Sequence, residues 1–393
     1  MKHSSTEFKH KWLSSYIRPV IVVVVLGILL ALSGCSSNNP TPTTVPTKTP
    51  KPTFTPDRPT IIALPTETPS PTIVLPTPTY TPVPTPTRDP NINPLTGLHV
   101  EDPAVLQRRP IHARIGNDPS IRPQEGLGAA DIVYEDIMDG WALTRFTAVF
   151  LAEDPPRIRP LRSARLVSLE LAPQYDAALV HTGASDPIRF KLSESDICDL
   201  DEYFNSKPYS ILEGYDWRGR FYTDSQRIHG YLEEKGWETS GPSEGFVFST
   251  EGSTPPGGAP ASTIHIPYPK LCVTDWAFDP DAGVYLREVQ GTPHLDGNTD
   301  EQIRAANVII FYARHEATDI VEDSLGNTAI NIVLRGEGRV QICRDGVVID
   351  GKWQRNELQE FTRFLDNDGK LIPLKPGKTW VQLVPVEYEV VIK

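Results

Sequence analysis

Ile132-Val133-Tyr134-Glu135 and Arg145-Phe146-Thr147-Ala148-Val149-Phe150 decide the fold class. Both runs are rich in β-branched and aromatic residues, which suit the pleated, half-buried surface of a strand. Downstream the period changes. Within Ser163–Leu171, Ala164, Val167 and Leu171 fall on one helical face, and Pro173 stops the helix. Ala177–His181 reads as another short strand and Ser225–Lys235 as another helix. Residues 93–250 therefore read as an α/β domain. A Gly/Pro/Ser-rich stretch, 251–263, reads as an interdomain loop. Beyond it, 264–393 is strand-like at Val284–Val289, Val308–Tyr312, Ala329–Leu334, Arg339–Cys343 and Trp380–Val384. Asp345-Gly346 and Asp368-Gly369 supply hairpin turns, Gly336-Glu337-Gly338 reads as a further turn, and Thr299–Ala306 as one short helix. The expected class is α+β, an α/β domain followed by a β-rich one.

Upstream of residue 93 the composition is of another kind. The chain has 393 residues and 39 prolines, many of them between Asn39 and Pro90, where threonine and proline come close to alternating. Proline lacks a backbone donor and biases its predecessor toward extended geometry, so neither helix nor ladder propagates there. Residues 35–92 read as a disordered, polyproline-like tether. At about 3.1 Å per residue, roughly 50 residues reach on the order of 150 Å. The remaining 300 or so residues suffice for two ordinary domains.

The amino end supplies the reason for a tether. Lys2, Lys9, Lys11 and Arg18 precede the apolar run Val20–Leu32, and small residues close it. This is the anatomy of an export signal over 1–34, shorter than the roughly 20 residues of a membrane span. Leu32-Ser33-Gly34-Cys35 resembles the lipobox of bacterial lipoproteins. That likeness implies cleavage before Cys35 and acylation of its sulfur, palmitate being a typical chain. It places the protein on the extracytoplasmic face of the cell membrane, with the membrane as its first partner. Two acyl chains anchor stably where one does not.

Formal charge is −12 and, once the four Lys/Arg and Glu7 of the signal are removed, −15. So acidic a chain repels nucleic acid, whose binding depends on neutralising phosphates, and nucleic acid is not among the expected partners. Cys198, Cys272 and Cys343 form no Cys-x-x-Cys pair, and the simplest reading is buried, unpaired thiols, with disulfide pairing left open. His294 with Asp296, and His315 with Glu316, do not complete a metal-ligand set. Gly-rich phosphate loops are absent from the sequence, so no metal or cofactor is expected.

From Asn93 to Pro385 several ordered segments together resemble the YerB-like lipoproteins, bacterial envelope proteins with a domain family of unknown function. They include Asn93-Pro94-Leu95-Thr96-Gly97-Leu98, Arg122-Pro123-Gln124, Ala130-Asp131-Ile132-Val133-Tyr134-Glu135, Thr144-Arg145-Phe146 and Arg162-Ser163-Ala164-Arg165. In the second half they are His294-Leu295-Asp296, Asn307-Val308-Ile309-Ile310, Arg344-Asp345-Gly346 and Gly377-Lys378-Thr379-Trp380. The chain departs from the family pattern at His112-Ala113-Arg114-Ile115 and Ile228-His229-Gly230. The resemblance implies a lipid-anchored, two-part extracytoplasmic protein and brings no reaction with it.

Two clusters carry chemistry. Arg162, Ser163 and Arg165, with Arg159 close by, enter a predicted helix, whose amino end favours negative charge. They form a candidate anion site for carboxylate or phosphate groups of cell-wall material. The competing reading pairs these arginines with Glu135, Asp136 or Asp139. His181, at a strand end before a small-residue loop, is a candidate general base, oriented by Asp186 or Asp176. With Glu135 and Arg145 it forms a candidate catalytic or polar cluster. Trp217, Trp237, Trp276 and Trp353 suit either sugar stacking or cores. The leading functional expectation is a non-catalytic binder of a cell-envelope component, a wall polymer or a protein. The alternatives are a cell-wall-acting enzyme using His181 and the Arg pair, and a solute receptor binding between two domains.

Overall fold

The N-terminal segment contributes β1 (Ile111–Gly116), β2 (Ile132–Ile137), β3 (Thr144–Phe150), β4 (Ala178–His181) and β5 (Cys198–Asp201). The C-terminal segment contributes β6 (Thr263–Ile266), β7 (Thr274–Asp279), β8 (Val284–Val289), β9 (Asn307–Ala313), β10 (His315–Val321), β11 (Thr328–Ile332), β12 (Gly336–Arg344), β13 (Val347–Arg355), β14 (Arg363–Leu365), β15 (Thr379–Pro385) and β16 (Val391–Ile392). These come from a computed structural model that describes residues 89–250 and 257–393. The signal segment, Cys35 and the tether as far as residue 88 lie outside the described residues.

One 11-stranded sheet runs through both segments in the order β14-β13-β12-β9-β15-β2-β3-β1-β4-β5, with Ala259–Pro260 added on β13. The joint is β15, which pairs in parallel with β9 on one side and with β2 on the other, placing Gln382 opposite Glu135. β1, β2, β3, β9 and β15 are buried along their whole length. That suits the near-continuous apolar sequence of β9, since a sheet covered on both faces has no polar side to alternate with, whereas β1, β2 and β3 also bury His112, Arg114, Glu135, Asp136 and Arg145. A second, six-stranded sheet centred on β6, β7 and β8 contributes to the same hydrophobic core: Trp276 of β7 meets Trp380 of β15 edge-on at 5.4 Å. The described residues, from Asp89 to Lys393, form one compact unit.

Among the described residues three helices cover the N-terminal segment: α1 (Leu166–Leu171), α2 (Asp186–Ser193) and α3 (Ser225–Lys235). α3 has the bounds its sequence suggests. The Asp224 side chain accepts from Arg227 N–H at its start, Ile228, Tyr231 and Leu232 are buried on one face, and Gly236 ends it at φ 68°. α1 is shorter than the Ser163 start implies. Arg165 is extended and caps it, because the Arg162 amide bonds to the Arg114 carbonyl of β1, the Arg162 carbonyl accepts from the Thr182 amide, and the Ala164 amide bonds to the Gly183 carbonyl.

Asp345-Gly346 turns β12 into β13 with φ 52° and 74°, as a two-residue hairpin requires. Gly336-Glu337-Gly338 is not a turn but the start of β12. A Cβ on Gly338 would stand 2.5 Å from Trp353 Nε1, so the glycine makes room for an indole. Thr299–Ala306 is not helical either: Ile303 and Ala305 are buried, and Arg304–Ala305 pair with β8. In the stretch read as an interdomain loop, Ala259–Pro260 pair with β13 and Thr263 opens β6. Among the described residues no helix is long and apolar enough to cross a membrane.

Candidate functional site

The register of β2 against β3 sets Glu135 opposite Phe146 and Asp136 opposite Arg145. Successive strand residues point to opposite faces, so Glu135 and Arg145 face away from each other.

On the first face, Glu135 belongs to a buried clamp. Its Oε2 accepts from Arg287 Nη2 at 2.8 Å and its Oε1 from Thr144 Oγ1 at 2.7 Å, and neither ion-pair partner is exposed. The Arg287 guanidinium lies over Trp380 at 4.9 Å and Phe146 at 5.4 Å. His294 Nδ1 accepts from Arg287, and its Nε2–H donates to Gln124 Oε1 at 2.6 Å. Burial, then the Arg287 and Arg122 charges, holds His294 well below the usual imidazole range, in keeping with this neutral tautomer. In the amide orientation that satisfies both ends, Gln382 donates to Glu135 Oε2 at 3.0 Å and accepts from the Trp380 and Trp276 indoles. Asp296 accepts from the amides of Gly126 and Gly128 at 3.0 and 2.6 Å. None of these groups offers a substrate an approach. They hold the two segments together, so His294 and Asp296 act as hydrogen-bonding posts.

The second face carries a row of guanidinium groups. Arg114 is fully buried and held by Asp136 (2.6 and 3.0 Å) and Thr147 Oγ1 (2.6 Å). Arg165 donates from Nε to Asp139 Oδ1 at 2.7 Å, with the buried Glu322 carboxylate 3.4 Å away. Glu322 is pushed up from the usual carboxylate range by burial and by Asp139, against the pull of Arg165.

Arg145 and Arg162 differ from these two. Arg145 is 7% exposed and donates from Nη1 to the Ser163 carbonyl at 2.8 Å. Arg162 stacks on the Trp217 ring at 4.6 Å. Among the described residues no carboxylate oxygen lies within 4.0 Å of either guanidinium. Burial, reinforced by the neighbouring arginines, pushes Arg145 well below the usual range and Arg162 down to about 10. Both line a cleft of about 240 Å³ with Asn117, Thr144, Asp139 and Trp217. A larger concavity of about 960 Å³ lies beside Tyr175 and Phe361, but the arginines on its wall are already matched, Arg335 to Glu170 and Arg363 to Glu360.

The sequence candidates are thus divided. Arg162 and Arg145 share the cleft. Arg165 is turned to Asp139, as the competing pairing anticipated, whereas Asp136 takes Arg114 and Glu135 takes Arg287. Arg159 pairs with Glu125 at 2.7 Å. Ser163 contributes its carbonyl, not a helix-end amide, because α1 starts three residues later. His181 is buried and stands apart from Glu135 and Arg145. Its Nδ1 bonds the Gly183 carbonyl at 2.8 Å and its Nε2 bonds Asp199 Oδ1 at 2.6 Å. The orienting carboxylate is therefore Asp199 of β5, since Asp176 pairs with Arg109 and Asp186 opens α2. Trp276 and Trp353 are core residues, whereas Trp217 is 62% exposed. Cys198, Cys272 and Cys343 are free thiols. Arg287 was not legible as Glu135's partner, because 152 positions separate them.

Models of two domains of a protein of unknown function, DUF3048, match this chain, the N-terminal one over residues 95–238 and the C-terminal one over 264–381. A relative from Bacillus subtilis (strain 168), named "Putative lipoprotein YerB", is 31% identical over 305 residues, which cover 74% of this chain and 86% of that protein. The crystal structure of YerB protein from Bacillus subtilis superposes with a TM-score of 0.66 at 26% identity, covering 76% of this chain and 98% of that one. With both segments of its sheet matched in order, the chain belongs to the DUF3048 family of proteins of unknown function.

Proposed function

We propose that this chain is a lipid-anchored extracytoplasmic protein whose folded unit binds an anionic cell-envelope component in the Arg145–Arg162 cleft without turning it over. The anchor is supported by the export-signal pattern of residues 1–34 followed by Cys35 and by the name of the Bacillus subtilis relative. The binding reading rests on one observation: two guanidinium groups, one almost wholly buried, line a cleft with no carboxylate in contact. A cation taken out of water without a counter-ion is costly, and such sites are usually completed by a ligand. A non-catalytic role is favoured because both nitrogens of His181, the base that the sequence offers for catalysis, are engaged in hydrogen bonds. A wall polymer is a fitting partner, since the tether reaches on the order of 150 Å from the membrane.

Two measurements test this reading. Metabolic palmitate labelling should disappear in Cys35→Ser, and retention of label would remove the anchor. Residues 82–393, a compact unit with its own core, should sediment with purified cell-wall material, and Arg162→Ala should weaken this at least about fivefold, as for loss of one charged contact. Undiminished sedimentation of a folded Arg162→Ala protein would move the site elsewhere.

A further inference from the structure

The charges around the cleft narrow the ligand. Each carboxylate that faces it is occupied by another group. Asp118 accepts from Ser120 and lies 3.6 Å from Arg218, which is also paired with Asp216. Asp139 is bonded to Arg165, and Asp323 accepts from Leu325 and Asn327 at the β10–β11 turn. Glu322 lies against Arg165, and its side chain is not exposed. Among the described residues no carboxylate is in ion-pair contact with Arg145 or Arg162; Asp139 acts on Arg145, and Asp118 and Asp216 on Arg162, only from beyond 4.0 Å while bonded to other groups. Asn117 Nδ2 and the Thr144 hydroxyl are committed to each other and to Glu135, which leaves the guanidinium groups as the cleft's strong donors.

Shape adds a second restriction. At about 240 Å³ the cleft falls below the roughly 300–1,000 Å³ of sites that enclose a whole drug-sized ligand. It fits a terminal group, with the remainder of the molecule outside. At its mouth stands Trp217, which has Arg162 over its ring and is still 62% exposed. An indole with open surface next to an anion seat is a platform for a sugar ring or polyol.

We infer that the cleft takes a doubly charged oxyanion borne on a sugar or polyol, either a phosphate monoester or a pair of adjacent carboxylates, with Arg145 and Arg162 as its cationic ligands. This rests on the proposed function and specifies its ligand class. Two guanidinium groups are matched by two negative charges. A phosphodiester or a lone carboxylate leaves one of them uncompensated, and planar forks discriminate on that basis.

The test is calorimetric titration of residues 82–393 with methyl phosphate, malonate, dimethyl phosphate and acetate at one pH and ionic strength. Methyl phosphate or malonate should bind at least about tenfold more tightly than dimethyl phosphate and acetate. Preference for methyl phosphate identifies a phosphate ester as the source, and preference for malonate a dicarboxylate. Arg162→Ala should reduce the tighter binding at least about tenfold. Arg145→Lys, which keeps the charge but loses the fork, should do the same if its melting transition stays cooperative. Equal binding of dimethyl and methyl phosphate overturns the inference and leaves the anion site standing. No binding of any of the four, together with wall sedimentation that Arg162→Ala leaves unchanged, overturns the proposed function itself.

Discussion

Arg287 Nη2 donates to Glu135 Oε2 at 2.8 Å across the joint between the two segments of the sheet, with both side chains fully buried. Removing one member strands a charge among Trp276, Trp380 and Phe146. Arg287→Ala or Glu135→Ala should therefore destabilise the folded unit by about 3–5 kcal/mol, whereas a well-packed apolar pair such as Glu135→Leu with Arg287→Met should recover much of the loss. Urea denaturation of residues 82–393 measures both. A single substitution costing under about 1 kcal/mol would refute the clamp.

Asp131 is buried beside the same joint, accepting from the Leu151 amide at 2.6 Å and Asn93 Nδ2 at 2.7 Å. Burial outweighs these bonds and pushes its carboxyl up to about 6, from the usual aspartate value of 3.8. A carboxyl whose folded pKa is raised binds its proton more tightly in the native state. Its favourable contribution is complete below the unfolded value and is lost as pH rises through the folded one. From this group, stability should fall by up to about 3 kcal/mol between pH 4 and pH 7. Asp131→Asn should flatten that part of the pH profile, and an unchanged slope in denaturation midpoints would assign the effect to other groups.

Gly338 faces the Trp353 indole in β12, where an added Cβ would approach to 2.5 Å. Trp353 is fixed, donating to the Tyr312 carbonyl at 2.8 Å and stacking on Phe311 at 4.5 Å. Gly338→Ala should thus cost about 1–3 kcal/mol through overpacking, readable as a lowered melting temperature. If the strand instead rolls away at no cost, the melting temperature will not move.

His181 and Asp199 tie the end of β4 to β5. Because both ring nitrogens are used, His181→Ala should lower stability by about 1–3 kcal/mol through the partners it leaves unpaired. Binding to cell-wall material, corrected for the folded fraction, should be unaltered. Loss of binding from a protein that melts normally would restore a functional role to this histidine.

Local features were legible wherever the physics is local. The Asp224 cap, the 3–4 spacing of Ile228, Tyr231 and Leu232 and the terminal Gly236 all lie in α3 or directly beside it, so its bounds could be read directly. Asp345-Gly346 carries its own turn geometry. The readings that failed depended on partners from elsewhere. Gly336 and Gly338 look like a turn until Trp353 is placed against them, and Thr299–Ala306 looks helical until β8 claims Arg304 and Ala305.

By itself, the sequence determined the α+β class, the apolar run that closes on Leu32-Ser33-Gly34-Cys35, the Pro/Thr composition before residue 93 and the acidic balance of the chain. Each follows from short-range patterning or from summed charge. Tertiary structure alone decided which arginine meets which carboxylate. Glu135 could have answered Arg159, Arg162 or Arg165, but strand alternation turns it to the face where Arg287 waits and leaves Arg145 on the other. Burial then excludes water from the paired groups and, among the described residues, leaves Arg145 and Arg162 facing the cleft with no carboxylate in contact. That separation of matched from unmatched charge depends on three-dimensional register, which no local stretch of chain encodes.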